Sequence, residues 1–119
     1  MAKRELGVNT HMKFEIVNRL VNDFPELREE VESNVKDFGD IYLHLIFGDI
    51  FNPYLLNLLE DPEGNRSALE KASRLIGDML RMDVYIQETA VTTVLERISD
   101  TPSKMAVFNR FMRGAAKNS

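Results

Sequence analysis

Twelve consecutive residues constrain this chain more than any others. From Asp40 to Phe51, the residues Ile41, Tyr42, Leu43, Leu45, Ile46, Phe47, Ile50 and Phe51 are apolar on nearly every side of a helix. A helix without a wetted face has to be surrounded by other elements, so this segment is expected at the centre of a bundle. The apolar run continues through Leu59, but His44, Asp49, Asn52 and Pro53 interrupt it. Those polar atoms and breaks exclude a membrane span of ordinary type. Gly48 points to a close approach or a bend, because an interior glycine otherwise costs about 1 kcal/mol relative to alanine. Asn52-Pro53 is read as the start of a second short helix carrying Tyr54, Leu55, Leu58 and Leu59.

Elsewhere the apolar residues recur at helical spacing rather than alternating. Phe14, Val17, Leu20, Val21 and Phe24 form one face, and Pro25 stands where a first-turn proline belongs, ahead of a helix whose stripe is Leu27 and Val31. Asn34 to Asp40, with Gly39, reads as a connection. Asp61-Pro62-Glu63-Gly64-Asn65 is the clearest loop, and Ser67 with Glu70 has the capping-box spacing ahead of Leu69, Ala72, Leu75, Ile76, Met79 and Leu80. Asp83 either caps a further helix or lies inside a longer one. Val91-Thr92-Thr93-Val94 favours a strand locally, yet the spacing of Val84, Gln87, Val91, Val94, Leu95 and Ile98 is helical. Thr101-Pro102 opens a last helix with Met105, Phe108, Phe111 and Met112 on one face. The expectation is an all-α fold of about six short helices, packed as an antiparallel bundle or stacked helical hairpins. The 119 residues suit one domain and exclude two independent ones. We assign residues 12–119 to that domain and expect residues 1–11 to be a frayed, cloning-derived leader without the features of a secretory signal, leaving the chain cytoplasmic.

Charge is distributed unevenly. Asp23 to Glu63 holds eleven carboxylates against Arg28 and Lys36, whereas Thr101 to Ser119 holds Lys104, Arg110, Arg113 and Lys117 and no acid. An acidic field attracts basic proteins and repels phosphate backbones, so no direct nucleic-acid partner is expected. The basic tail is first of all a core helix, with homodimerisation as its next use.

Catalytic and metal chemistry find little support. Without cysteine there is no thiolate ligand, thiol nucleophile or disulfide. His44 has Asp40 four residues before it, but further ligands at useful spacing are missing, and a histidine satisfied by backbone or by Asp40 in a packed interior is the expected reading. Asp49, in its apolar setting, needs a cap or an ion pair. The Asp61-to-Glu70 loop fails the calcium pattern, with its glycine at the fourth position rather than the sixth. Glycine-rich phosphate loops and nucleophile elbows are absent from the sequence. The expectation is a non-enzyme without cofactor or metal.

The segment Asp40 to Asp61, reading DIYLHLIFGDIFNPYLLNLLED, together with Leu69 to Ile98 and its VYIQETAVTTVLERI ending, resembles small all-helical bacterial proteins of unassigned activity. Some of these are similar to immunity proteins of polymorphic or contact-dependent toxin systems. The resemblance covers about Met12 to Asp100, rests on the hydrophobic pattern and the HLIFGD core, and transfers no catalytic residue. It implies a neutralising binder whose acidic surface covers the basic active site of a nuclease-like toxin. The residues expected to meet such a basic partner are the carboxylates Glu29, Glu30, Asp37, Asp40 and Asp49, with Tyr42 and Tyr54 as aromatic anchors. The alternative is a small regulatory or scaffold protein acting through homodimerisation.

Overall fold

The computed structural model describes the backbone of residues 2–118 and the side chains of residues 11–115. The described residues form six helices: α1 (Ala2–Asp23), α2 (Arg28–Phe38), α3 (43–58), α4 (Arg66–Met79), α5 (84–99) and α6 (Pro102–Asn118). A 3-10 turn, Pro25–Leu27, leads into α2. Among the described residues there is no strand. The expected all-α architecture is therefore present.

The chain's most apolar segment is the hub. α3 packs against α2, α4 and α5, while α4 also contacts α1 and α6. Leu43, Ile46, Phe47, Phe51 and Leu55 are fully buried, and each such side chain contributes roughly 1.5–3 kcal/mol by leaving water. Phe51 meets Phe47 at 5.3 Å and Phe24 of the α1 end at 5.8 Å between ring centroids. Tilted and edge-on pairs of this kind add about 0.5–1.5 kcal/mol each.

Several local expectations change. α1 reaches back to Ala2, upstream of Met12 and through the stretch read as a leader. Ala2, Lys3, Arg4, Glu5 and Leu6 are good helix formers, whereas Gly7, Val8, Asn9 and Thr10, which join them to Met12, are poor ones. Its buried stripe is Ile16, Val17, Leu20, Val21 and Phe24, and Phe14 is 57% exposed. The position expected for Phe14 is taken by Lys13, only 4% exposed, whose ammonium lies 5.9 Å from the centre of the Tyr85 ring. A long aliphatic stem buries well while an aromatic face attracts the charge.

α2 runs on to Phe38, so the connection shrinks from residues 34–40 to 39–42. Val35 and Phe38 continue the stripe of Leu27 and Val31, and Gly39 then stops the helix at φ 73° with its N–H on the Val35 carbonyl. Only glycine takes that left-handed position without strain. The Ser67–Glu70 capping box does not form. α4 begins two residues earlier than that box implies, at Arg66, with Asn65 at the cap position and no side-chain cap; the Asn65 amide donates to the Leu58 carbonyl instead. Asp83 does cap α5, accepting the Ile86 N–H at 3.1 Å.

Pro53 does not start a separate helix. α3 passes through it by widening into a π turn at Ile46–Phe51, with the Asn52 N–H on the Phe47 carbonyl five residues back. The next carbonyl in that ladder, Gly48, would need a proton from Pro53, which has none. α5 widens likewise at Thr89–Leu95. There Thr89 and Thr92 hydroxyls donate to the carbonyls of Tyr85 and Glu88, four residues back, competing with the helical ladder. The β-branched run is thus helical, as its spacing required, but in a loosened form.

Candidate functional site

Two polar regions meet around the N-terminal half of α3. The first is the seam between the two π turns. α3 and α5 are alternate helices of the bundle and run side by side in the same direction, His44 against Thr93 and Gly48 against Arg97 at one constant offset in sequence. Arg97 Nη1 donates to the Gly48 carbonyl at 2.9 Å, which supplies the donor that Pro53 lacks. A Cβ on residue 48 would stand 3.1 Å from both Arg97 Nη1 and Thr93 Cγ2. The glycine is therefore what lets the two helices close.

His44 is exposed rather than in the packed interior, and it is held by threonines rather than by Asp40. Its Nδ1 lies 2.7 Å from Thr93 Oγ1 and its Nε2 3.4 Å from Thr89 Oγ1. Thr89 already donates to the Tyr85 carbonyl, so it accepts from the ring, and Thr93 donates to it. Both nitrogens are satisfied in the neutral ring with its proton on Nε2. Tyr85 stands edge-on to the imidazole at 6.0 Å. Burial lifts the Tyr85 phenol above its ordinary value, and the carboxylates of Asp40 and Asp83 push the same way. This arrangement ties α3 to α5 through side-chain hydrogen bonds. Among the described residues, no group of three or more metal-ligating side chains forms.

The second region is the α2–α3 junction. The apolar stripe of α2 outruns the core: Phe38 is 54% exposed, and Tyr42 across the turn is 45% exposed. The two rings pack edge-on at 6.2 Å. Asp37 and Asp40 flank them and are themselves exposed. Asp40 turns one oxygen inward to the Ile41 N–H, at 2.7 Å. Glu30 lies seven residues before Asp37 and so on the same face of α2, about 10 Å away along the axis. Glu29 sits one step round the helix.

The remaining expected partner residues separate from this cluster. Asp49 is exposed on α3, so the cap or ion pair expected for a buried carboxylate is not required; the π turn rotates it outward while Gly48 and Ile50 face in. Tyr54 belongs to the other end of α3. It packs edge-on against Phe24 at 5.6 Å and donates to the Glu26 carboxylate. Burial and then that carboxylate raise its phenol well above the ordinary range. None of Glu29, Glu30, Asp37, Asp40 and Asp49 is in an ion pair among the described residues.

Phe38, Lys13, Thr89, Thr93 and Arg97 were not singled out by the sequence reading. Two signals were available. Thr89, Thr93 and Arg97 recur at i, i+4, i+8 as a polar stripe on an apolar helix, and Phe38 continues the stripe of α2 past its last core residue.

The fold defines a small all-α helical bundle. The chain belongs to the family described as domain of unknown function DUF7674, whose model matches residues 17–118. No curated protein and no solved structure matches it. Among the described residues, no helix is long and apolar enough to cross a membrane.

Proposed function

We propose that the protein is a non-catalytic binding domain that docks a basic protein through the α2–α3 junction. The observation that carries this reading is the exposed Phe38–Tyr42 pair, rimmed by carboxylates that form no ion pair among the described residues, with Lys36 the one basic residue of the α2 end. An aromatic anchor with a charged rim combines a desolvated centre with electrostatic steering. In its sharper form, suggested by the resemblance to immunity proteins, the partner is a nuclease-like toxin whose basic active site the acidic face covers. Tyr54 has no part in this surface, since Phe24 and Glu26 already engage it.

The test is affinity capture from the protein's own cell extract with two baits, wild type and a Phe38→Ala/Tyr42→Ala variant. A basic protein retained by the first and lost by the second is the expected result. With that partner in hand, Asp37→Lys/Asp40→Lys should slow association several-fold and flatten its salt dependence. Equal retention by both baits, or an unchanged association rate, sinks the proposal. A concentration-dependent dimer in light scattering, abolished by the aromatic variant, would replace it with self-association.

A further inference from the structure

At the opposite pole of the charge distribution, α4 and α6 enclose a cleft of about 510 Å³, within the range of small-molecule sites. Arg66 and Arg74 line one wall and Arg110 of the acid-free C-terminal segment lines the other. None of these three guanidinium groups is in an ion pair among the described residues. Glu63 and Glu70 also border the cleft, which leaves it one charge positive rather than strongly cationic. Apart from Arg110, the α6 wall is apolar, with the half-buried Phe111 ring and Val107 beside the small residues Gly114 and Ala115.

Each element selects for a ligand property. Planar guanidinium forks match phosphate oxygens in pairs, which ammonium groups do not. The opposing carboxylates disfavour a polyphosphate. An aromatic ring between small side chains suits a flat, apolar body, on which arginine also stacks. We propose that this cleft binds a phosphate monoester carrying a planar body, of the size of a nucleoside monophosphate. The site is independent of the α2–α3 junction and stands or falls without it.

Adenosine 5′-monophosphate is the probe, with inorganic phosphate and adenosine as its two halves, titrated into the full chain at physiological salt. Amide chemical shifts should move saturably and only along α4 and α6, with a Kd at least tenfold below that of either half. Arg74→Ala/Arg110→Ala should weaken binding at least tenfold, and Phe111→Ala should remove the advantage over phosphate. Arg28→Ala, on another face, should change nothing. Far-UV circular dichroism confirms that the variants fold. Scattered or non-saturating shifts, equal binding by the double arginine variant, or no advantage over phosphate would each overturn the assignment.

Discussion

Gly48 and Gly77 both lie inside helices, yet they belong to opposite kinds of packing. Gly48 sits in the α3–α5 seam, where an added Cβ would meet Arg97 and Thr93 at 3.1 Å. Gly77 lies in α4 near α6, where the nearest atom, Met112 Cε, is 4.0 Å away. The seam is closed by polar bonds to a loosened backbone; the α4–α6 pair is regular and leaves a cleft. The same residue type is thus a requirement in one place and a conformational cost in the other.

The largest test of this contrast is truncation of an aromatic on each side. Phe47→Ala, at a fully buried position, should cost about 3–5 kcal/mol in urea unfolding. Phe111→Ala, in the cleft, should cost less than half of that; equal losses would mean that the cleft is as tightly packed as the seam. Next come the arginines. Arg97→Ala leaves the Gly48 carbonyl without its donor and should lose about 1–2 kcal/mol, whereas Arg74→Ala should stay within about 0.5 kcal/mol. A neutral Arg97→Ala would show that water replaces the guanidinium at no penalty.

The glycines themselves give a smaller effect with opposite signs. Gly77→Ala should stabilise by about 0.5–1 kcal/mol through the lower backbone entropy of the unfolded chain. At position 48 that gain is cancelled or reversed by the contacts a methyl would make, so matching gains at both sites would dissolve the contrast. The smallest effect is on the edge of α4 that faces α1. Asp78 accepts from Arg19 and Arg81 at 2.6 Å each. Burial works against its ionisation, but the two guanidinium groups outweigh burial and hold the carboxyl below its ordinary value. A lowered folded-state pKa contributes stability that is present above the unfolded value, about pH 4, and is lost as pH falls through the folded one. Arg19 and Asp78 are about one-third exposed and Arg81 60% exposed, so solvent screening keeps the contribution below about 1 kcal/mol. Asp78→Asn should therefore match the wild type in strong acid and fall behind it above about pH 4. A gap of constant size from pH 2 to pH 7 would refute the linkage.

What was readable beforehand follows from where the determining forces act. Helix periodicity, the Asp83 cap and the buried hub are local or depend on hydrophobicity alone, and the residues from Leu43 to Phe51 announced the hub directly. Phe14 and Lys13 show the limit. Both lie near the same stripe, and which one turns inward depends on Tyr85, seventy-odd positions away in the chain. The capping box failed for a related reason: Asn65 was drawn to the Leu58 carbonyl, and α4 started two residues before the start that the box implies. Of the expected partner residues, Asp37, Asp40 and Tyr42 do share a surface, because a short turn joins them. Tyr54 and Asp49 part from it, because the direction each faces is set by the course of α3.

The sequence by itself determined that this chain is helical, that α3 lies at its centre, and that its charge is split between an acidic middle and a basic end. Apolar spacing and charge count are sums over neighbouring residues, and no partner is needed to read them. Only the tertiary structure decided that Arg97 would serve a carbonyl left without a donor by Pro53. It also decided that Phe38 would overrun the core and that Arg66, Arg74 and Arg110 would face one cleft. These are meetings between residues far apart in the chain, and their geometry exists only once the helices have packed.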